Sequence, residues 1–159
     1  MRCKVTHNYE IDNLDLKILG ELQKDARKPF LEIARKLSVS GGTIHQRVEK
    51  LKEMGVILGT RLIVDHKKLG QGVCVMLGIH LHNAKDIQKV ISKLQKIDEV
   101  VETHYTTGSF GLMIKVYVRD IDHYHQFLVG KLQAIDEVLS TESFICLSSP
   151  IERELKLIK

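Results

Sequence analysis

Apolar residues recur at spacings of three and four over roughly the first third of the chain and then switch to alternation. Leu14, Ile18, Leu19 and Leu22 form one stripe, which predicts a helix over 12–25. Asp12 is placed to cap it, and Asp15 adds favourable charge in the first turn. Pro29 suits the opening of a second short helix over 29–37, with Ile33, Ala34 and Leu37 inward. Ser38-Val39-Ser40 reads as a tight polar turn with one apolar plug. Ser40 is a good N-cap for a third helix over 41–53, whose inner face is Ile44, Val48 and Leu51, and Gly55 ends it. Val56-Ile57-Leu58 and Arg61-Leu62-Ile63-Val64 then read as β-structure, a wing or a strand leading away from the head.

The remainder is built twice. Residues 93–100 and 131–138 match at seven of eight positions with an offset of 38, which marks two equivalent helix-to-strand corners. Val73, Val75, Leu77, Ile79 and Leu81 alternate with polar or small positions over 73–82. Ile87, Val90, Ile91, Leu94 and Ile97 stripe a helix over 84–97, and 100–107 is β-rich. Phe110, Leu112, Ile114, Val116 and Val118 share one side of a strand. A second helix runs over 120–135 and a last strand over 138–147. The order βαββαβ is that of a ferredoxin-like unit, with both helices on one face of an antiparallel sheet. Cys74, Met76, Tyr105, Met113, Tyr117 and Cys146 are left for the other face, which is too apolar to stay wet and is expected to be covered by a second protomer. The fold class is therefore α+β: a winged-type helix-turn-helix domain over 1–61, a strand and hinge over 62–72 (Lys67 to Gly72 being the hinge), and a ferredoxin-like domain over 73–159.

Charge changes the picture of the head. Residues 1–61 hold 12 Lys and Arg against 8 Asp and Glu, whereas 62–159 hold 12 against 12, so the whole net charge of +4 lies in the first part. A basic head on a balanced body suits a polyanion. Two helices joined by a short turn, the second rich in exposed polar groups, form a helix-turn-helix pattern. The candidate DNA-binding residues are Ser40, Gly41, Gly42, Thr43, His45, Gln46, Arg47, Lys50 and Arg61. Gln can read adenine and Arg guanine, while Thr and Lys hold base edges or phosphates. The two glycines permit close backbone approach to a phosphate at the helix N-terminus. Arg61 is as well explained as a surface residue on an edge strand.

Composition adds mostly exclusions. With 43% apolar and 28% charged residues in 159, the chain is not wholly disordered. It has no apolar run of the ~18 residues needed to span a bilayer, and 1–25 does not read as a signal peptide, so a soluble cytoplasmic protein without membrane contact is expected. Cys3, Cys74 and Cys146 show no Cys-x-x-Cys spacing, and the last two are expected to be buried free thiols. His123 and His125 lie about 200° apart around a helix and cannot grip one metal. No structural-zinc spacing, catalytic triad order, P-loop or dinucleotide fingerprint occurs, so no metal, cofactor or catalytic residue is expected. The connection Thr106-Thr107-Gly108-Ser109-Phe110-Gly111, taken to join the two central strands, could bind a small ligand through hydroxyls and amides; as residues alone, a plain hairpin turn explains it better.

The motifs Leu14-Asp15-x-x-Ile18-Leu19-x-x-Leu22-Gln23-x-Asp25-Ala26-Arg27, Ile33-Ala34 with Leu37-Ser38-Val39-Ser40, and Arg47-Val48-x-x-Leu51-x-x-x-Gly55-Val56-Ile57 resemble the Lrp/AsnC (feast/famine) family of transcription regulators. The resemblance covers nearly the full length. It implies a sequence-specific regulator of double-stranded DNA whose β-rich body forms homodimers that assemble into octamers. It also implies an effector, an amino acid or related metabolite, bound at 106–111. The family's loop resembles Gly-Asp-Phe/Tyr-Asp; here Gly108-Ser109-Phe110-Gly111 keeps the glycine and the aromatic but replaces both aspartates. Two other readings share this architecture: a tetrapyrrole-modifying enzyme using His80, His82 and His104, and a protein that compacts DNA without sequence preference.

Overall fold

The computed structural model describes residues 10–157, so Cys3 lies outside the described residues. These residues form two compact units, one ending at Leu62 and one running from Ile63 to Ile151; the tail from Glu152 groups with the first unit rather than with the expected body domain.

The first unit holds α1 (Asn13–Lys24), α2 (Phe30–Leu37) and α3 (Gly41–Glu53). Asp12 caps α1 by accepting from the Leu14 and Asp15 amides at 2.8 and 2.9 Å, while the Asp15 carboxylate accepts from the Asp12 amide at 3.1 Å, a closed capping box. Ser38 ends α2 in a left-handed conformation (φ 55°), and the Val39 amide reaches back to the Ala34 carbonyl at 3.0 Å. Gly55 (φ 72°) closes α3, with the Val56 amide on the Leu51 carbonyl. The core is Ile18, Ile33, Ala34, Ile44 and Val48, joined at its edge by Leu14, Leu22, Leu37 and Ile57.

Two acids of α1 are buried with it. Glu21 takes Lys28 at 2.5 Å, Lys36 at 2.7 Å and Lys24 at 3.4 Å, tying α1 to the turn that follows it and to α2. The ammonium groups of Lys28 and Lys36 hold the Glu21 carboxyl down to about 2. Asp12 is also lowered to about 2, first by the Asp15 amide and next by Arg47. A carboxylate whose folded value is depressed contributes stability that is complete above its unfolded value and is lost as pH falls toward the folded one. The thermal midpoint of the first unit should therefore fall between about pH 4.5 and pH 2, and Glu21→Gln should flatten that slope in a pH series of melts.

No strand forms at 56–64, contrary to the sequence expectation of a wing. Leu58, Leu62 and Ile63 are 94%, 86% and 81% exposed. A strand exists only when its amides and carbonyls find a neighbouring ladder, and among the described residues no second strand runs beside this segment.

The second unit is an antiparallel sheet in the order β2-β3-β1-β4, made of β1 (Val73–Leu81), β2 (Val100–Tyr105), β3 (Leu112–Val118) and β4 (Val138–Cys146). The helix α4 (Ile87–Leu94) follows a 3₁₀ turn, and α5 (Ile121–Phe127) widens into a π-helical turn over Leu128–Leu132 that contains Gly130, so the expected single helix over 120–135 is interrupted. Val75, Leu77, Ile79, Leu112, Ile114, Val116 and Val118 are fully buried against Val90, Leu94, Phe127 and Leu132.

The repeat explains the corners. Leu94 and Leu132 are buried, and the Val100 and Val138 amides close the same turn onto the Ile97 and Ile135 carbonyls. The two copies also bind each other: Lys93 of the first pairs with Glu137 of the second at 2.5 Å, and Lys131 of the second pairs with Glu99 of the first at 2.6 Å.

The opposite sheet face carries Cys74, Met76, Met113, Tyr117, Phe144 and Cys146 by register. Tyr105 was expected there but stands opposite Leu112, on the helix side, and is 73% exposed because β2 is an edge strand. Cys74 and Cys146 are only half-buried rather than buried. The face is also less bare than expected: the His66 ring stacks on Tyr117 at 4.2 Å.

Candidate nucleic-acid interface and loop-lined pocket

Ser40 caps α3 by accepting from the Thr43 amide at 3.0 Å, and its hydroxyl also meets that of Thr43 at 2.9 Å. The first turn of α3 is fixed before any ligand arrives. A Cβ on Gly41 would come to 3.0 Å from the tip of Leu31 of α2, an exposed side chain that can swing aside. Gly42 meets nothing closer than ordinary contact and is exposed. His45, Gln46 and Lys50 lie along the exposed side of α3. The His45 ring stands edge-on to Phe30 at 6.0 Å, which orients it from α2. Arg61 is exposed beyond the helix.

Arg47 departs from the expected base-reading position. Its guanidinium donates to Asp12 at 2.6 Å and to Asp15 at 2.9 Å, and Asp15 is fully buried. Arg47 locks α3 to the capping box of α1, an internal role, because the i,i+3 relation to Ile44 and i,i+4 relation to Leu51 put it on the flank of the apolar stripe. Sequence reasoning missed this pair. The signal was present: Ile11, Asp15, Ile18 and Leu22 fall on one stripe, so Asp15 is an acid at a core position and calls for a cation.

In the second unit the loop 106–111 joins β2 to β3. Since β2 is at the edge, it does not connect the two central strands, which are β3 and β1. The loop is pinned at three points. The Thr106 amide donates to the Gly111 carbonyl at 3.2 Å, the Gly111 amide donates to Ile79 at 3.0 Å, and the Thr106 hydroxyl donates to the Phe110 carbonyl. Phe110 was expected beside Leu112 on the helix side. Its ring instead lies over Gly78 on the opposite face and tilts against His80 at 4.9 Å, because the strand alternation begins only at Leu112.

The loop walls an open-sided pocket of about 360 Å³ together with His80, Leu81, Ala84, Ile87 and Tyr105. Thr106, Thr107, Gly108, Ser109 and Gly111 all line it. No carboxylate does, so its polar groups are hydroxyls, backbone and one imidazole. His80 also approaches Glu142 at 3.9 Å. His82 is exposed and His104 sits against Glu102 at 3.4 Å on the edge strand, so the three histidines weighed for catalysis do not form one cluster around the pocket. Among the described residues no helix is long and apolar enough to cross a membrane.

Two family models match the chain: the AsnC-type helix-turn-helix domain over residues 11–52 and the Lrp/AsnC ligand binding domain over 72–155. Regulatory protein AsnC of Haemophilus influenzae is 50% identical over 148 residues, which are 93% of this chain and 99% of the relative. The solved structure of E. coli AsnC shares the fold with a TM-score of 0.89 at 46% identity, covering 94% of this chain and all of the other. A transcriptional regulator from Neisseria meningitidis, solved as a complex with L-Met, aligns with a TM-score of 0.87 at 19% identity over 94% and 97% of the two chains, a likeness of fold alone.

Proposed function

We propose that this chain, which belongs to the Lrp/AsnC family of DNA-binding transcription regulators, reads its operator in the cytoplasm with the outer row of α3 and is tuned by a small zwitterionic metabolite held at 106–111. The observation that carries the first half is the division of labour on α3. Ser40 and Arg47 fix the helix, and His45, Gln46 and Lys50 lie together on its exposed side. Gly42 then sits at the helix N-terminus, where its backbone can approach a phosphate, the Thr43 side chain lies beside it, and Arg61 adds a phosphate contact. Two heads are needed to read a two-fold operator. The sheet face bearing Met76, Met113 and Phe144 is the surface that suits self-association, since Phe144 alone is 50% exposed.

The pocket supports the second half. It offers hydroxyls at Thr107 and Ser109 and free approach at Gly108, a chemistry suited to the carboxylate and amino groups of an amino acid or related compound. With no lining carboxylate, the amino group meets hydroxyl and carbonyl oxygens. An effector with a neutral side chain therefore fits better than a cationic one.

Selection from random-sequence DNA tests the reading. Wild-type protein should enrich a two-fold motif. Gln46→Ala with Lys50→Ala should bind that motif at least about 30-fold more weakly, since each lost base contact is worth roughly 1–3 kcal/mol. The thermal midpoint of the double variant should match wild type. Unchanged affinity would remove α3 from the interface, and selection of no motif at all would favour non-specific compaction.

A further inference from the structure

Two thiols face each other at one end of the sheet. Cys74 is the second residue of β1, Cys146 is the last residue of β4, and the register makes them direct partners across the antiparallel pair. Such partners have Cα atoms about 4.5 or 5.5 Å apart, according to whether the pair is hydrogen-bonded, and both values lie within the roughly 4.4–6.8 Å that a disulfide spans. Both side chains project to the face away from the helices, since their neighbour Val75 is buried beneath the other. Each is free and partly exposed, and the Cys146 thiol donates to the Phe144 carbonyl of its own strand, at 3.9 Å. Neither belongs to α3 or to the pocket.

We propose that Cys74 and Cys146 form an oxidation site that closes as an intrachain cross-strand disulfide when a peroxide reaches it. One sulfur, as thiolate, attacks a peroxide oxygen; the O–O bond breaks, hydroxide leaves and takes up a proton as water, and a sulfenic acid forms. The second sulfur then attacks that sulfenic sulfur, forming the S–S bond as the S–O bond breaks and a second water leaves. Two thiols are oxidised and one peroxide is reduced to two waters. Both thiols lie at the end of the sheet face that suits self-association, so closure needs the register, the two thiols and a peroxide that reaches that end of the face.

The surroundings set the rate. Cys74 faces Tyr117 and Lys115 of β3 and Cys146 of β4, and His66 stacks over Tyr117. Burial and the Cys146 thiol hold the Cys74 thiol above the ordinary thiol range, which outweighs the help of Lys115. Closure should be slow at pH 7 and accelerate toward pH 9. A closed bond would staple β4, an edge strand, to a central one across most of the body's sequence.

The test uses the full chain carrying Cys3→Ser, treated with hydrogen peroxide at pH 7 and pH 8.5. Titratable thiols should fall from two to none, and the protein should run as a single chain on a non-reducing gel. Peptide mapping should find the segments holding Cys74 and Cys146 joined and about 2 Da lighter than their sum. The melting temperature should rise by roughly 5–10 °C and return on adding dithiothreitol. Cys74→Ser should instead stop at a sulfenic acid on Cys146. If that variant does not fold, mapping of the Cys3→Ser protein still decides the matter. A disulfide joining two chains, over-oxidation of either sulfur without a bond, or two surviving thiols at pH 8.5 would overturn the proposal.

Discussion

Arg47→Ala is expected to lower the stability of the first unit by about 3 kcal/mol and to weaken DNA binding with it, whereas Gln46→Ala should weaken DNA binding alone. The difference follows from where each side chain goes. Asp15 is fully buried in α1, and its carboxylate is met by the Asp12 amide and by the Arg47 guanidinium at 2.9 Å. Removing the guanidinium leaves a buried charge with one partner fewer, and that cost is larger than the worth of an exposed pair. Lysine at the same place restores a charge but not the fork that bridges Asp12 and Asp15 together, so Arg47→Lys should recover only part of the loss. Thermal melts with the head's far-UV signal, run beside electrophoretic mobility shifts, check both halves. A fully stable Arg47→Ala protein that has lost DNA binding would return Arg47 to the base-reading role that its position on a recognition helix first suggests.

That contrast marks where the sequence stops being legible. Helix boundaries in the head are written in short-range chemistry: Asp12 and Ser40 cap, Pro29 opens, Gly55 closes, and the stripes Ile33-Ala34 and Ile44-Val48-Leu51 become the core. The repeat likewise announces two equal corners, because Leu94 and Leu132 perform the same packing. What the sequence hides depends on partners far away in the chain. Nothing local says that Arg47 meets Asp15, 32 positions earlier, or that Glu21 collects Lys36, 15 positions on. The opposition of Cys74 and Cys146 requires a register, and register is fixed only once both strands lie on the same core. The segment 56–64 shows the reverse case, since its composition suits a strand but a ladder needs a neighbour.

Gly78→Ala should cost about 2 kcal/mol and empty the pocket of its binding capacity, although Gly78 lines neither the pocket nor the DNA-facing helix. A Cβ at this position would sit 2.5 Å from the Phe110 ring, so the ring must leave its seat. Phe110 cannot move alone. Its carbonyl accepts the Thr106 hydroxyl and its ring rests on His80, and Thr106 and His80 both line the pocket. Displacing the ring therefore loosens one wall and tilts another. A thermal-shift screen of the twenty amino acids gives the readout: a compound that stabilises wild-type protein with rising concentration should no longer stabilise Gly78→Ala, while mobility shifts with operator DNA persist. Phe110→Ala supplies the decisive partner, because it removes the obstacle and the seat's occupant together. If the ring on the glycine is the cause, Gly78→Ala adds almost nothing in the Phe110→Ala background, leaving a coupling of more than about 1 kcal/mol between two residues that share one contact. Additive losses would mean that the glycine matters only as a strand residue, and that Phe110 holds the pocket by some other route.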